Sequence, residues 1–211
     1  MSCTVLITGF GPFPGAPFNP TQALARRLAA RRRPALADVD RVAHVFRTSY
    51  AAVDAELPRL IAKHRPDVLL MFGLAGGTPH LRIETRARNA ASLLVPDAGG
   101  GKLRAASIRT GGPAALAGRA PFQRMVNAAR CVRVKARLSR NAGSYLCNYV
   151  YWRGIEASSR NRPVPVVAFV HVPGVRRVSK APGARRRLTL SDLARAGEAV
   201  LLALVAAAHS P

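Results

Sequence analysis

The chain has 211 residues, of which 49% are hydrophobic, so it is long enough to bury the core of one full-sized domain. Its 33 Lys and Arg side chains against 10 Asp and Glu give a formal net charge of +23. A selected basic surface and a codon bias toward Arg and Ala explain this excess about equally well. The longest apolar run, 199–208, is too short to cross a bilayer as a helix.

Three cysteines, Cys3, Cys131 and Cys147, form an odd count without the paired spacing of a metal site. They predict a reduced chain rather than a disulfide scaffold. Residues 1–10 lack the basic lead and the apolar core of a secretion signal, so we expect a cytoplasmic protein.

Strand-like and helical segments alternate along the chain. Strands are predicted at 3–10, 40–46, 67–73, 132–138 and 163–174, and helices at 21–33, 49–64, 121–131, 147–159 and 189–209. Residues 81–112 are turn-rich and predict hairpins. This alternation predicts an α/β sandwich around a mostly parallel sheet, and no repeat or linker divides it, so we expect a single domain over residues 1–211.

In open α/β sheets, sites form where loops follow the carboxyl ends of strands. Such loops are predicted at 9–20, 73–77, 171–174 and before Cys147. The first is not a dinucleotide loop, because Pro14 stands where the third glycine belongs and its prolines remove amide donors. The phenylalanines of this loop are either walls for a small, flat, uncharged group or the core aromatics of a rigid turn.

Position along the elements also sorts the titratable side chains. Among the histidines, His171 ends a predicted strand and His80 lies in a loop, whereas the others fall within a strand, near a helix end or in the tail. Among the acids, Glu84 and Asp97 are the site candidates, because the others lie in predicted helices or directly before predicted strands. Each of these positions also has a purely structural interpretation, and an ion pair with its arginine neighbours is the one for Glu84.

Cys147 is either a small apolar core residue or a nucleophile at the start of a helix. A thiolate in the first turn is stabilised by the helix dipole, and the free amides there suit the oxyanion of an acyl-transfer intermediate. A histidine would take the thiol proton and return one to the leaving amine, while a carboxylate would orient the imidazole. Cys147, His171 and Glu84 supply these residue types near predicted loop ends.

A series of motifs runs through nearly the whole chain: VLITGFGPF at 5–13, NP at 19–20, GLAGG at 73–77, ETRARN at 84–89, PDAGG at 96–100, GGPAA at 111–115, AGSYLCN at 142–148 and FVHVP at 169–173. In this order they resemble the pyroglutamyl peptidases, intracellular cysteine peptidases that remove an N-terminal pyroglutamate from peptides. The resemblance implies a catalytic triad of Cys147, His171 and Glu84 and an open three-layer α/β/α sandwich around a twisted sheet. It also implies a thioester acyl-enzyme on the cysteine and no metal or organic cofactor.

The same resemblance implies a pocket for the lactam ring of pyroglutamate. Phe10 and Phe13 would enclose the ring, Asn19 would help to shape the loop, and backbone groups near Leu74 and Leu146 would hydrogen-bond the amide edge. A neutral lactam needs apolar walls with one donor and one acceptor. Such a site rejects a proline ring, which lacks the carbonyl and leaves a buried donor unpaired.

Three features depart from the family's pattern. Many members have Gln where this chain has Leu74, and Arg directly after the triad glutamate, where it has Thr85. Loss of that arginine weakens the local charge network or the oxyanion support unless Arg86 compensates for it. Residues 174–187 are unusually basic, and they form either a solvated loop or a flank of the cleft that favours acidic peptides.

The resemblance implies small peptides with an N-terminal pyroglutamate as substrates, and assembly into a homo-oligomer, a dimer or a tetramer. We expect no membrane association and no nucleic-acid binding, since the basic residues are scattered along the sequence. Two alternatives stay open. One is a related cysteine amidase acting on another small acyl or cyclic amide, and the other is a catalytically inactive basic homologue that binds nucleic acid.

Overall fold

A computed structural model describes residues 3–13, 15–158, 164–175 and 188–209. Most of the basic segment 174–187 therefore lies outside the described residues. The strands are β1 (Cys3–Phe10), β2 (Val39–Phe46), β3 (Val68–Leu74), β4 (Leu81–Glu84), β5 (Arg86–Arg88), β6 (Ala115–Ala117), β7 (Ala136–Ser139) and β8 (Val166–Val172). The α-helices are α1 (Pro20–Ala29), α2 (Tyr50–His64), α3 (Phe122–Cys131), α4 (Leu146–Ser158) and α5 (Leu190–Ala208), and a short 3-10 helix spans Pro34–Leu36.

Six of the strands form one sheet in the order β2-β1-β3-β8-β4-β7. The first four strands are parallel to one another, whereas β4 runs antiparallel to β8 and parallel to β7. Strands β5 and β6 form a separate antiparallel pair. The predicted mostly parallel sheet is confirmed.

The five helices cover both faces of the sheet. One apolar cluster joins the sheet to α1, α3 and α5, through side chains such as Leu24, Met125 and Leu201. The other joins it to α2 and α4, through side chains such as Val53 and Trp152. Strands β3 and β8 are buried on both faces, as central parallel strands require. The α/β/α sandwich is therefore confirmed.

Three elements differ from their predicted bounds. Helix α1 ends at Ala29 rather than near residue 33, because Pro34 disfavours helical backbone before it and Arg31 leaves the helix to pair with Glu198 at 2.9 Å. The strand predicted at 132–138 is shortened at its start, where Arg133 adopts a left-handed φ of 61°. The turn-rich stretch 81–112 contributes β4 to the interior of the main sheet instead of a hairpin.

Helix α5 begins as the sequence predicts. The Thr189 hydroxyl accepts from the Asp192 N–H at 3.1 Å, and the Asp192 carboxylate accepts from the Thr189 N–H at 3.0 Å, which completes a capping box. Neither this helix nor any other in the described part of the chain combines the length and the apolar character that a bilayer crossing requires.

Candidate active site

Three neighbouring strands place the residues of the candidate site on one face of the sheet. The register of β4 against β8 sets Arg82 opposite His171 and Glu84 opposite Phe169, and the register of β3 against β8 sets Gly73 beside His171. Residues paired across strands point to the same face. This is the face that α2 and α4 cover, because Phe169 belongs to their apolar cluster.

The first turn of α4 brings the sulfur of Cys147 onto Gly73. A β-carbon at position 73 would lie 2.7 Å from the Cys147 Sγ and 2.7 Å from the Phe169 ring. No side-chain atom fits in that space, so a glycine here is a condition for the position of the sulfur. The contact explains why a glycine stands at position 73, next to the end of β3.

Cys147 also lies in the first turn of α4, where backbone N–H groups have no partner within the helix. The N–H of Tyr149 donates to the Tyr145 carbonyl at 3.0 Å, which is the first intrahelical hydrogen bond. The N–H groups of residues 146–148 precede this bond and point toward the amino end of the helix. Together with the helix dipole, they favour negative charge beside the sulfur.

His171 links the sulfur to a carboxylate. Its Nδ1 lies 2.8 Å from the Glu84 Oε1, so its Nε2 is the ring nitrogen left for the hydrogen bond with Cys147. Burial lowers the pKa of His171, but the Cys147 sulfur and the Glu84 carboxylate raise it more, and the resulting pKa is about 9. The arrangement therefore holds an imidazolium between two acidic partners.

Glu84 is fully buried and stays ionised because of its neighbours. Burial raises the pKa of Glu84, but hydrogen bonds from His171 and Ser139 and the charge of Arg82 lower it below its usual value. The Arg82 guanidinium lies 3.0 Å from the Oε1 atom. The Tyr151 hydroxyl donates to the Glu84 carbonyl at 2.9 Å, which fixes the strand beneath α4.

Arg82, one of the arginine neighbours of Glu84 in the sequence, is the one that forms an ion pair with it, but the sequence analysis gave Arg82 no place in the site. Arg86 does not replace the arginine that follows the triad glutamate in the family, because its Nε donates to the Arg140 carbonyl at 3.0 Å. The hydroxyl of Thr85 likewise bonds the Ser139 carbonyl at 3.1 Å. The available signal was the two-residue spacing of Arg82 and Glu84, which puts both on one face of a strand, but the stretch did not resemble a strand.

Asn148 is a second residue that the sequence analysis did not single out. Its buried amide donates to the carbonyls of Arg88 at 2.8 Å and Ala90 at 2.9 Å, and its Oδ1 accepts from the Arg88 N–H at 2.8 Å. These bonds tie the chain after β5 to the first turn of α4. Its place directly after Cys147 in the AGSYLCN motif was the only signal.

The two phenylalanines predicted to wall the lactam pocket differ in burial. Phe10 is buried and packs against Phe46 with 5.9 Å between ring centroids, in the same apolar cluster as Leu146. Phe13 is half-buried in the loop after β1, where its backbone pairs with Ala16.

Asn19 holds this loop and caps α1. Its side chain donates to the Gly11 carbonyl at 3.1 Å and accepts from the Thr21 N–H at 3.1 Å. The Thr21 hydroxyl in turn accepts from the Phe10 N–H at 2.9 Å. Asn19 is thus placed to shape the loop, as the resemblance implies.

Leu74 ends β3 with its backbone polar groups turned toward β1. The N–H of Ala75 donates to Val172 of β8 at 2.8 Å, and successive residues of a strand direct their polar groups to opposite sides. The N–H and C=O of Leu74 therefore face the β1 side. The paired register of β1 and β3 ends earlier, at Thr8 and Met71, so this edge lies beyond the ladder.

Asp97, the other acidic candidate, is engaged elsewhere. Its carboxylate accepts from the backbone N–H groups of Tyr50 at 2.9 Å and of Gly99 and Gly101 at 2.8 Å each. Burial raises the pKa of Asp97, but these hydrogen bonds lower it by more, so the pKa lies below its usual value. The carboxylate therefore organises the turn at residues 97–101. Within the described ranges, no three His, Cys, Asp or Glu side chains are grouped to hold a metal ion.

The sequence also matches a family model. The model described as pyroglutamyl peptidase matches residues 3–208. The chain belongs to the pyroglutamyl peptidase family. Its relatives include the pyrrolidone-carboxylate peptidase of Bacillus subtilis, 34% identical over 170 residues that cover 80% of this chain and 77% of the relative. The pyrrolidone-carboxylate peptidase of Thermococcus kodakarensis is 31% identical over 169 residues, 80% of each chain.

Solved structures of the family share the whole fold. The pyroglutamyl peptidase I of Bacillus amyloliquefaciens superposes with a TM-score of 0.83 at 28% identity, covering 97% of both chains. The pyrrolidone carboxyl peptidase of Thermococcus litoralis gives a TM-score of 0.86 at 26% identity, covering 97% of this chain and 94% of the other. Membership of this family makes the chain a cysteine peptidase.

Proposed function

We propose that this protein hydrolyses the amide bond that follows an N-terminal pyroglutamyl residue of a peptide. Cys147 is the nucleophile, His171 the general base and then the general acid, and Glu84 the carboxylate that orients the imidazole. One observation carries the proposal: the buried Glu84 and the Cys147 sulfur bond opposite sides of the same His171 ring. Family membership supports the choice of substrate.

The first half-reaction acylates the cysteine. After Cys147 has given its thiol proton to His171, its sulfur attacks the pyroglutamyl carbonyl carbon. The resulting oxyanion accepts hydrogen bonds from N–H groups at the start of α4. The imidazolium of His171 then donates its proton to the departing nitrogen as the C–N bond breaks. A peptide with a free amino terminus leaves, and a pyroglutamyl thioester remains on the sulfur.

The second half-reaction returns the enzyme to its starting state. His171, now neutral, takes a proton from a water molecule, and the hydroxide attacks the thioester carbon. The C–S bond breaks, pyroglutamate leaves, and His171 again holds the proton that the next departing amine takes. Glu84 keeps the ring orientation and stabilises the imidazolium at each stage without itself accepting the proton.

The lactam ring is bound through apolar walls and one backbone pair. Phe10 and Phe13 supply the walls, and Asn19 holds the loop that carries them. The N–H and C=O of Leu74 face the open edge beyond the β1–β3 ladder, which supports their pairing with the lactam carbonyl and N–H. Because these contacts are made by backbone, a leucine serves at position 74 as well as a glutamine. Backbone groups near Leu146, at the start of α4, are the others that we propose to hydrogen-bond the amide edge of the ring.

The remaining expectations belong to the same proposal. Residues 1–211 act as one domain, which is supported by a single six-stranded sheet that draws strands from both ends of the described chain. The three cysteines are free thiols, which supports a reducing compartment such as the cytoplasm. Assembly into a homo-oligomer is supported by the exposed apolar side chains of residues 93–95, of which Leu94 is 85% exposed.

A substrate panel tests the proposal. Pyroglutamyl and prolyl amides of a fluorogenic amine are assayed in parallel, with and without iodoacetamide, on the wild type and on Cys147→Ala. We expect turnover of the pyroglutamyl amide alone, abolished by the alkylating reagent and by the substitution. Turnover of a different acyl amide would indicate the related amidase, and unchanged turnover by Cys147→Ala would refute the assignment of the nucleophile.

A further inference from the structure

Three arginines lie close in sequence to catalytic residues: two follow Glu84 and one precedes Cys147. Ala87 of β5 is buried under α4, so Arg86 and Arg88 on either side of it point the opposite way, and Arg88 is exposed. Arg140, which follows β7, is also exposed, and its carbonyl accepts from the Arg86 Nε at 3.0 Å. We call Arg86, Arg88 and Arg140 the arginine rim.

Hydrogen bonds connect the arginine rim to residues on either side of Cys147 in the sequence. The backbone N–H of Arg88 donates to the Asn148 Oδ1 at 2.8 Å, one residue after the nucleophile Cys147. The guanidinium of Arg88 donates to the Asn141 Oδ1 at 3.3 Å, in the loop that leads into α4. The rim therefore borders the same helix end to which the scissile amide must come.

The positive charge of the rim is not neutralised by the protein. In the ranges that the structure describes, no carboxylate lies within 4.0 Å of a rim guanidinium. The buried acids of this region are already engaged, Glu84 by His171 and Asp97 by backbone amides. Each guanidinium has five donors, so donors remain for an anionic ligand.

A pyroglutamyl peptide provides such an anion. Its terminal nitrogen is locked in the lactam and carries no charge, so a carboxylate on the second residue has no ammonium group beside it. Building on the proposed function, we propose that the arginine rim binds a carboxylate of the residue after the pyroglutamyl group, making acidic pyroglutamyl peptides the preferred substrates. Either the α-carboxylate of a dipeptide or the side chain of Asp or Glu provides this group.

Two matched substrate pairs separate these sources. Pyroglutamyl-glutamate amide and pyroglutamyl-glutamine amide differ only in the charge of the side chain, whereas pyroglutamyl-alanine and its amide differ only in the α-carboxylate. We expect the charged member of at least one pair to have a kcat/KM about 5-fold higher, mainly through a lower KM. The preference should shrink as NaCl rises to about 0.5 M, because salt screens exposed charges.

Arg88→Gln and Arg140→Gln test the rim itself, and Arg124→Gln is the matched control. Arg124 is exposed on α3, on the opposite face of the sheet, and its removal changes the net charge by the same amount. We expect the rim variants to reduce the preference to about 2-fold or less, Arg88→Lys to retain most of it, and the control to retain all of it.

Two results would overturn the inference: equal kcat/KM within both substrate pairs for the wild type, or an equal loss of preference in Arg124→Gln. The second result would assign the preference to the overall charge of the molecule. Calorimetric binding of the same pairs to Cys147→Ala reports on the rim without turnover. Absent turnover of every pyroglutamyl substrate would instead contradict the proposed function, so the two failures are distinguishable.

Discussion

The sulfur of Cys147 rests on the backbone of Gly73, with no space between them for a methyl group. A β-carbon added to Gly73 would come within 2.7 Å of the sulfur, which real side chains do not tolerate. Strand β3 and helix α4 are thus in direct contact at the point where the nucleophile must be held. The alignment of Cys147 with His171 depends on that contact.

Gly73→Ala should therefore reduce activity while leaving the fold intact. The new methyl group displaces the sulfur from its position beside His171, and a displacement of about 1 Å costs about 100-fold in kcat/KM. The measurements are kcat/KM on a pyroglutamyl amide and the rate of alkylation by iodoacetamide. Gly76→Ala is the control, because nothing lies within 4 Å of a β-carbon there, and it should keep wild-type activity. Full activity in Gly73→Ala would contradict the packing argument.

The pH dependence of kcat/KM should have an alkaline limb near pH 9. The pKa of His171 is raised to about 9, so the imidazolium persists below that pH and is lost above it. Above the limb, no acid remains to protonate the departing amine. The pH profile of the free enzyme, read from kcat/KM, measures this limb.

Glu84→Gln should move that limb to lower pH and lower the rate. Removing the carboxylate removes a negative charge that favours the imidazolium, so the pKa of His171 falls. Loss of the orienting partner should also cost about 100-fold or more in kcat. An alkaline limb at the same pH in Glu84→Gln would show that the carboxylate does not support the charge on His171.

Arg82→Gln should disturb the site by way of Glu84. Without the guanidinium at 3.0 Å, the pKa of Glu84 rises, so protonation of the carboxylate on the acidic side begins at a higher pH. We expect about a 10-fold loss of kcat/KM at neutral pH and an acidic limb shifted upward. Arg124→Gln on α3, across the sheet from the site, removes an exposed arginine and should change neither quantity. Equal profiles for the two variants would refute the role of Arg82.

Asn148→Ala should lower both stability and activity. The substitution removes three hydrogen bonds of a fully buried amide and leaves backbone groups of Arg88 and Ala90 without their partner, at a cost of about 3 kcal/mol in the free energy of unfolding. Urea denaturation measures this change. Asn127→Ala on α3, whose side chain makes an exposed contact with Gln123, should change the free energy by less than about 0.5 kcal/mol. Equal stability of the two variants would contradict the role of Asn148.

The sequence predicted the elements well where the signal was local. The alternation of buried strands and helices, the capping box at Thr189 and the α/β class all follow from residue order, and the structure confirms them. Position in these elements also singled out Cys147, His171 and Glu84, and the resemblance pointed to the same three. The structure brings these residues into contact, while their catalytic roles stay predictions.

Tertiary structure decided what depended on partners distant in the chain. The direction of β4 is set by its pairing with β8, and only that register puts Arg82 beside Glu84. The contact of Gly73 with Cys147 likewise depends on how α4 lies on the sheet. Local patterns specify which side of a strand or helix is buried, because hydrophobic periodicity is a property of the segment alone. They do not specify which residues of another element that buried side contacts, since register and packing are settled only when the sheet forms.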